Sequence, residues 1–212
     1  MSMQSLLDQI LRSANTGPGK TDLGKYATGA AAGGALALLL GGKRRGALLR
    51  YGSAAALGAL AWNVYRDWQA KQGTVPAAAA PSPAPVAFAQ LPAPAAEKHS
   101  WAMLRAMISA ARADGHMDER ERSLVEAELQ RLEADPGLHA RVEAEMRRPV
   151  DPVDLAADVD GPEQAAEIYL ASVLVCDSTG TMERAYLDAL AMALHLPPEL
   201  KTDLERRAAA GG

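Results

Sequence analysis

The 212-residue chain has one cysteine, Cys176, and one phenylalanine, and aromatic residues make up only 4% of it. A single cysteine excludes an internal disulfide framework and any multi-cysteine metal centre. Few aromatics beside a 49% hydrophobic content rich in alanine disfavour β-sheets, whose strands draw on β-branched and aromatic side chains. Catalytic signatures are missing too: no G-x-S-x-G elbow, P-loop, G-x-G-x-x-G, H-E-x-x-H or C-x-x-C occurs. The four histidines, at 99, 116, 139 and 195, are scattered, and none has a partner at a ligand spacing. These absences point away from an enzyme. Cys176 falls on the apolar face of a predicted helix, which suits core packing better than nucleophilic work.

The net charge of −4 conceals an asymmetry. Residues 1–72 hold nine Lys/Arg against three Asp, a surplus of six. Residues 73–96 carry no charge, and residues 97–212 hold 13 basic and 23 acidic residues, a deficit of ten. A basic, Gly/Ala-rich front joined to an acidic back implies two parts with different surroundings. The acidic back disfavours nucleic acid as a partner.

Residues 1–25 read as a short amphipathic helix, with Met3, Leu6, Leu7 and Ile10 on one face, followed by a loop. Residues 26–72 read as a membrane region. Tyr26–Gly42 runs 17 residues without a charge, Lys43-Arg44-Arg45 follow, and Gly46–Tyr65 is apolar apart from Arg50 and Asn63. A spanning helix needs roughly 20 apolar residues, so one span or a hairpin is expected. Tyr26, Tyr51, Trp62, Tyr65 and Trp68 stand where interfacial aromatics would. Gly29 and Gly33 permit close helix–helix approach and hence homo-oligomers in the bilayer. With a single span, the positive-inside rule puts the C-terminal part in the cytoplasm. A soluble helical protein, with the front as ordinary core, is the competing reading. Residues 73–96 hold six prolines and read as a semi-rigid Pro/Ala linker.

From 97 to 212 the pattern is helical throughout, and seven short helices are expected in one compact all-α bundle. Asp135-Pro136, Asp151-Pro152, Asp160-Gly161-Pro162 and Pro197-Pro198 mark helix starts, and Thr181 is expected to cap the sixth helix. Two acidic turns stand out, A-R-A-D-G-H-M-D-E-R-E at 111–121 and C-D-S-T-G-T-M-E-R-A-Y-L at 176–187. Their carboxylates, Asp114, Asp118, Glu121, Asp177 and Glu183, are the candidate metal site, since hard cations such as Ca²⁺ or Mg²⁺ take several oxygen ligands. Neither turn fits an EF-hand loop: Val125 stands where the first would need its closing acid, and the second runs from Asp177 to Asp188 without intervening acids at the right places. Helix capping accounts equally well for Asp114, Asp118 and Glu121. A carboxylate-dependent hydrolase would need the two turns to share one cleft.

The stretches 111–121, E-Q-A-A-E-I-Y-L-A-S (163–172) and M-E-R-A-Y-L-D-A-L-A-M-A-L-H-L-P (182–197) resemble the TerB-like, tellurite-resistance-type helical domain. With the apolar front, the whole chain resembles the YebE-like bacterial inner-membrane proteins. The resemblance implies an all-α bundle, membrane attachment and an acidic surface that binds cations or a protein partner. It further implies a place in envelope or tellurite and metal stress, and no enzymatic activity. The second turn has Ser178 and Thr179 after its Asp, which weakens a paired two-metal arrangement.

Overall fold

A computed structural model of the chain describes residues 54–72, 93–114, 123, 126, 136–176 and 180–210. The described residues form seven helices and no strand: α1 (Ala54–Lys71), α2 (Ala93–Ala111), α3 (Pro136–Arg147), α4 (Pro152–Ala156), α5 (Gly161–Val175), α6 (Thr181–Ala193) and α7 (Pro198–Ala210). The predicted stripe Leu124, Val125, Leu129 and Leu132 lies outside the described residues, as do 1–53 with the candidate span Tyr26–Gly42.

Helix α5 is the axis of the fold. Every residue from Gln164 to Val175 is buried, the pattern of a helix enclosed on all sides. α1, α2, α6 and α7 all pack against it, and α4 packs on α6. α2 is nearly as enclosed, with residues 102–110 buried in an unbroken run. α7 buries a narrower stripe, Leu200, Leu204 and Ala208, at the four-residue spacing of one helical face.

Of the expected start signals, Asp151 caps its helix through its side chain, whereas Asp160 holds the N-cap position of α5 without a side-chain bond. Asp151 accepts hydrogen bonds from the amides of Val153 (2.9 Å) and Asp154 (3.4 Å), and Pro152 opens α4 where its missing N–H costs nothing. α6 differs from expectation. Thr181 lies inside the first turn, and Gly180 holds the N-cap position without a side-chain bond. The far end of α6 closes in a Schellman turn. His195 takes a left-handed φ of 54°, its amide donates to Met192 O, and the Leu196 amide donates to Ala191 O.

α1 changes the reading of the apolar front. It buries Leu57, Leu60, Ala61 and Tyr65 against α5 and α7 and turns Ala59, Asn63, Arg66, Asp67 and Ala70 to solvent. Each large side chain so buried contributes on the order of 1.5–3 kcal/mol. Of the aromatics expected at a membrane interface, Trp62, Tyr65 and Trp68 line one seam of the bundle, and Tyr26 and Tyr51 lie outside the described residues. Tyr65 lies 6.1 Å from Trp62 and 5.9 Å from Trp68, ring centre to ring centre. No helix among the described residues is long and apolar enough to cross a membrane. The Pro/Ala stretch, expected over 73–96, gives way to α2 at Ala93, and the helices on both sides of it pack on α5.

Candidate functional site

Of the five carboxylates expected to bind a cation, two are described. Asp114 is exposed on the turn that ends α2. Glu183 occupies the first turn of α6, its carboxylate folded back over Gly180 so closely that any side chain at 180 would collide with it. A carboxylate there complements the positive end of the helix dipole, a local task that needs no ligand. Asp118, Glu121 and Asp177 lie outside the described residues. Among the described residues no three His, Cys, Asp or Glu side chains gather closely enough to hold a metal ion.

Two ionic clusters that the sequence reading passed over occupy the interior. The first is built on Arg105, 3% exposed in the middle of α2. Its Nε donates to Glu145 of α3 at 3.0 Å, Nη2 to Asp154 of α4 at 2.6 Å, and Nη1 to Asp158 just beyond α4. Burial pulls the guanidinium down, but bonding to Glu145 and Asp154 outweighs it and leaves Arg105 above its ordinary value. Arg148 extends the cluster, reaching Asp154 at 2.8 Å and Glu145 at 3.7 Å. Arg112 donates to the carbonyls of Arg148 (2.6 Å) and Glu145 (3.4 Å), where a cation offsets the negative end of α3. Arg141 stacks over Trp101, 4.1 Å from the ring centre, as a further tie between α2 and α3. Three helices are thus locked to one planar fork, a task that suits arginine rather than lysine.

The second cluster lies under α1. His99 Nε2 of α2 approaches Glu167 Oε2 of α5 to 2.9 Å, close but poorly aligned for a hydrogen bond. Glu167 is 7% exposed, and its other oxygen, Oε1, is buried without a hydrogen-bond partner. Gly58 of α1 covers it. A methyl group at that glycine would stand 3.0 Å from Oε1, so the close approach of the two helices depends on the missing side chain. Trp68 Nε1, also on α1, is likewise buried without a hydrogen bond. Beside this seam, burial and the Glu163 charge raise Tyr65 above its usual value, with the Gln69 hydrogen bond opposing them.

A third group joins α5, α6 and α7. Tyr169 donates to Glu205 at 2.7 Å, and Lys201 bridges Glu205 (3.2 Å) and Asp188 (2.9 Å). Burial first, then bonding to Glu205, pushes the Tyr169 hydroxyl far above its ordinary value. It acts as a fixed donor. Cys176 is buried, as expected, with Sγ 3.6 Å from Ala110 O.

A faint signal for these clusters was present. Arg105 is the one charge in W-A-M-L-R-A-M-I-S, and Glu167 stands inside the apolar run of α5. A lone charge in a buried helix must find a partner, though sequence alone does not say where.

Comparison with known proteins places the chain in a family. An uncharacterized protein in the ampR 5' region of Yersinia enterocolitica is 33% identical over 104 residues, which cover 49% of this chain and 75% of that protein. No solved structure matches. Residues 25–208 match the family described as "Protein of unknown function (DUF533)", so the match runs from just before the apolar front to the last turns of α7. The chain belongs to the DUF533 family, which is TerB-like.

Proposed function

We propose that this chain is a membrane-anchored interaction module of the YebE-like kind. Tyr26–Gly42 holds it in the bacterial inner membrane, and the helical bundle stands on the cytoplasmic side. The observation that carries this reading is how the interior charges are used. Arg105 takes up Glu145, Asp154 and Asp158 in helix-to-helix bonds. Those acids are occupied by architecture, and with Arg105 and its three partners set aside residues 97–212 still hold 12 basic and 20 acidic residues, a surplus of eight negative charges. A rigid scaffold with an acidic exterior suits docking of a basic protein surface better than turnover.

The acidic turns supply the contact, with Asp114, Asp118, Glu121, Asp177 and Glu183 as the recognising groups. A hard divalent cation is the alternative occupant of the same groups. Envelope or tellurite and metal stress is the setting that the resemblance suggests. Self-association through Gly29 and Gly33 would multiply the docking sites.

The test is a pull-down from membranes with the full-length chain and its Asp114→Ala/Asp118→Ala variant, beside titration of both with Ca²⁺ and Mg²⁺. Loss of specific partners from the variant supports the docking role. Identical partner sets without metal-binding heat reduce the turns to helix punctuation. Recovery of the chain in the soluble fraction ends the anchoring half of the reading.

A further inference from the structure

We infer that α1 is a releasable latch, a helix that opens from the bundle while the rest stays folded and so changes the reach of the domain. The seam beneath it carries the argument. Glu167 Oε1 is sealed under Gly58 without a hydrogen bond, and Trp68 Nε1 on α1 itself is buried unbonded. Burying polar atoms without partners works against docking, and lifting α1 gives both of them water. Among the described residues, the directional tie from α1 to the bundle is Lys71–Asp203 at 3.1 Å. The lysine side chain there is 65% exposed, so this tie is weak. Otherwise an apolar stripe of Leu57, Leu60, Ala61 and Tyr65 holds the helix. α2, by contrast, is locked by Arg105 to α3 and α4 through three carboxylates.

The chain length around α1 gives the opening its consequence. Twenty residues, 73–92, join the described end of α1 to the start of α2, and five of them are proline. With α1 docked, that stretch merely connects two helices packed on α5. With α1 released, it becomes a spacer between α1 and the bundle, reaching roughly 60 Å if extended. The change in reach from the membrane rests on the anchored reading above. The opening itself does not, so each can fail separately.

Native-state hydrogen exchange on the full-length chain in detergent micelles tests the latch. Amides of 57–70 are expected to exchange through an opening at least about tenfold more populated than the one exposing 164–175. Glu167→Gln removes the buried charge, and should lower the α1 opening population about threefold while leaving α3 unchanged. Lys71→Ala should raise the same opening without touching α3. The latch is overturned if α1 and α5 exchange in a single cooperative step, or if Glu167→Gln leaves α1 exchange unchanged or faster. It is also overturned if Lys71→Ala loosens α3 as much as α1.

Discussion

The bundle buries charge at two seams and treats it differently. Between α2, α3 and α4, Arg105 meets three carboxylates, and each of its nitrogens has an oxygen to donate to. Between α1, α2 and α5, Glu167 has His99 beside one oxygen and nothing on the other. A saturated cluster fixes geometry, because displacing Arg105 or Glu145 from the other leaves a buried charge without its partner. An unsaturated one weakens the seam it lies in. The difference sets the charge-locked seam of α2, α3 and α4 apart from the α1 seam, which is held mainly by apolar contact.

The most direct way to break this contrast is Arg105→Met. The substitution keeps most of the volume but leaves the buried Glu145 with Arg148 alone, at 3.7 Å, and takes the Arg105 contact from Asp154 and Asp158. A loss of about 3–5 kcal/mol is expected, the usual cost of removing one partner from a buried pair. Urea unfolding monitored by circular dichroism measures it. Arg105→Lys should recover only part of the loss, because an ammonium cannot span three acceptors in one plane. A loss under about 1 kcal/mol for Arg105→Met would place the lock elsewhere.

The tie at the end of α1 offers a smaller and pH-dependent test. The Lys71 hydrogen bond holds the Asp203 carboxyl below its ordinary value, with Arg206 adding at 2.7 Å. A depressed carboxylate contributes stability above its unfolded-state value, and that contribution fades as pH falls through the folded value. Wild type should therefore exceed Lys71→Ala in stability at pH 6–7 and converge with it in the acid range. With Lys71 so exposed, the gap at neutral pH should be about 0.5 kcal/mol or less. Thermal melts of both proteins from pH 7 down to pH 3 follow the convergence. A constant gap would mean that Lys71 acts through packing of its stem, not through Asp203.

How much of this was legible follows from the kind of signal involved. Helix punctuation is local, so Asp151-Pro152, Asp160-Gly161-Pro162 and Pro197-Pro198 announced α4, α5 and α7 where they occur. Gly180 replaced Thr181 at the cap because the Glu183 carboxylate occupies the space over residue 180, a clash visible only in three dimensions. The membership of α1 was hidden for a different reason. Leu57, Leu60, Ala61 and Tyr65 make the same apolar stripe whether lipid or protein covers it. The clue lay opposite, where Asn63, Arg66 and Asp67 form a wet face. The charge partners were beyond reach, since Arg105 and Asp158, or His99 and Glu167, are joined only by the packing of separate helices. Of the carboxylates proposed to recognise a partner, Glu183 lies in the first turn of α6, where the helix dipole alone would keep an acid, and Asp114 lies on the exposed turn after α2.

An effect of the opposite sign belongs to the turn that ends α6, away from both seams. His195 closes α6 with a φ of 54°, a conformation in which its Cβ crowds the neighbouring backbone. The turn keeps two hydrogen bonds, from the amides of His195 and Leu196, and both are backbone bonds that any residue could make. His195 is exposed, so its side chain contributes little packing. Glycine satisfies the same geometry without the crowding but has more unfolded-state freedom to lose. The first effect should win at a left-handed position, and His195→Gly should stabilise the protein by about 0.5–1 kcal/mol. The gain belongs to α6 and the turn into α7, so exchange at α1 should not change. A destabilised variant would show that the imidazole holds the turn through a contact of its own.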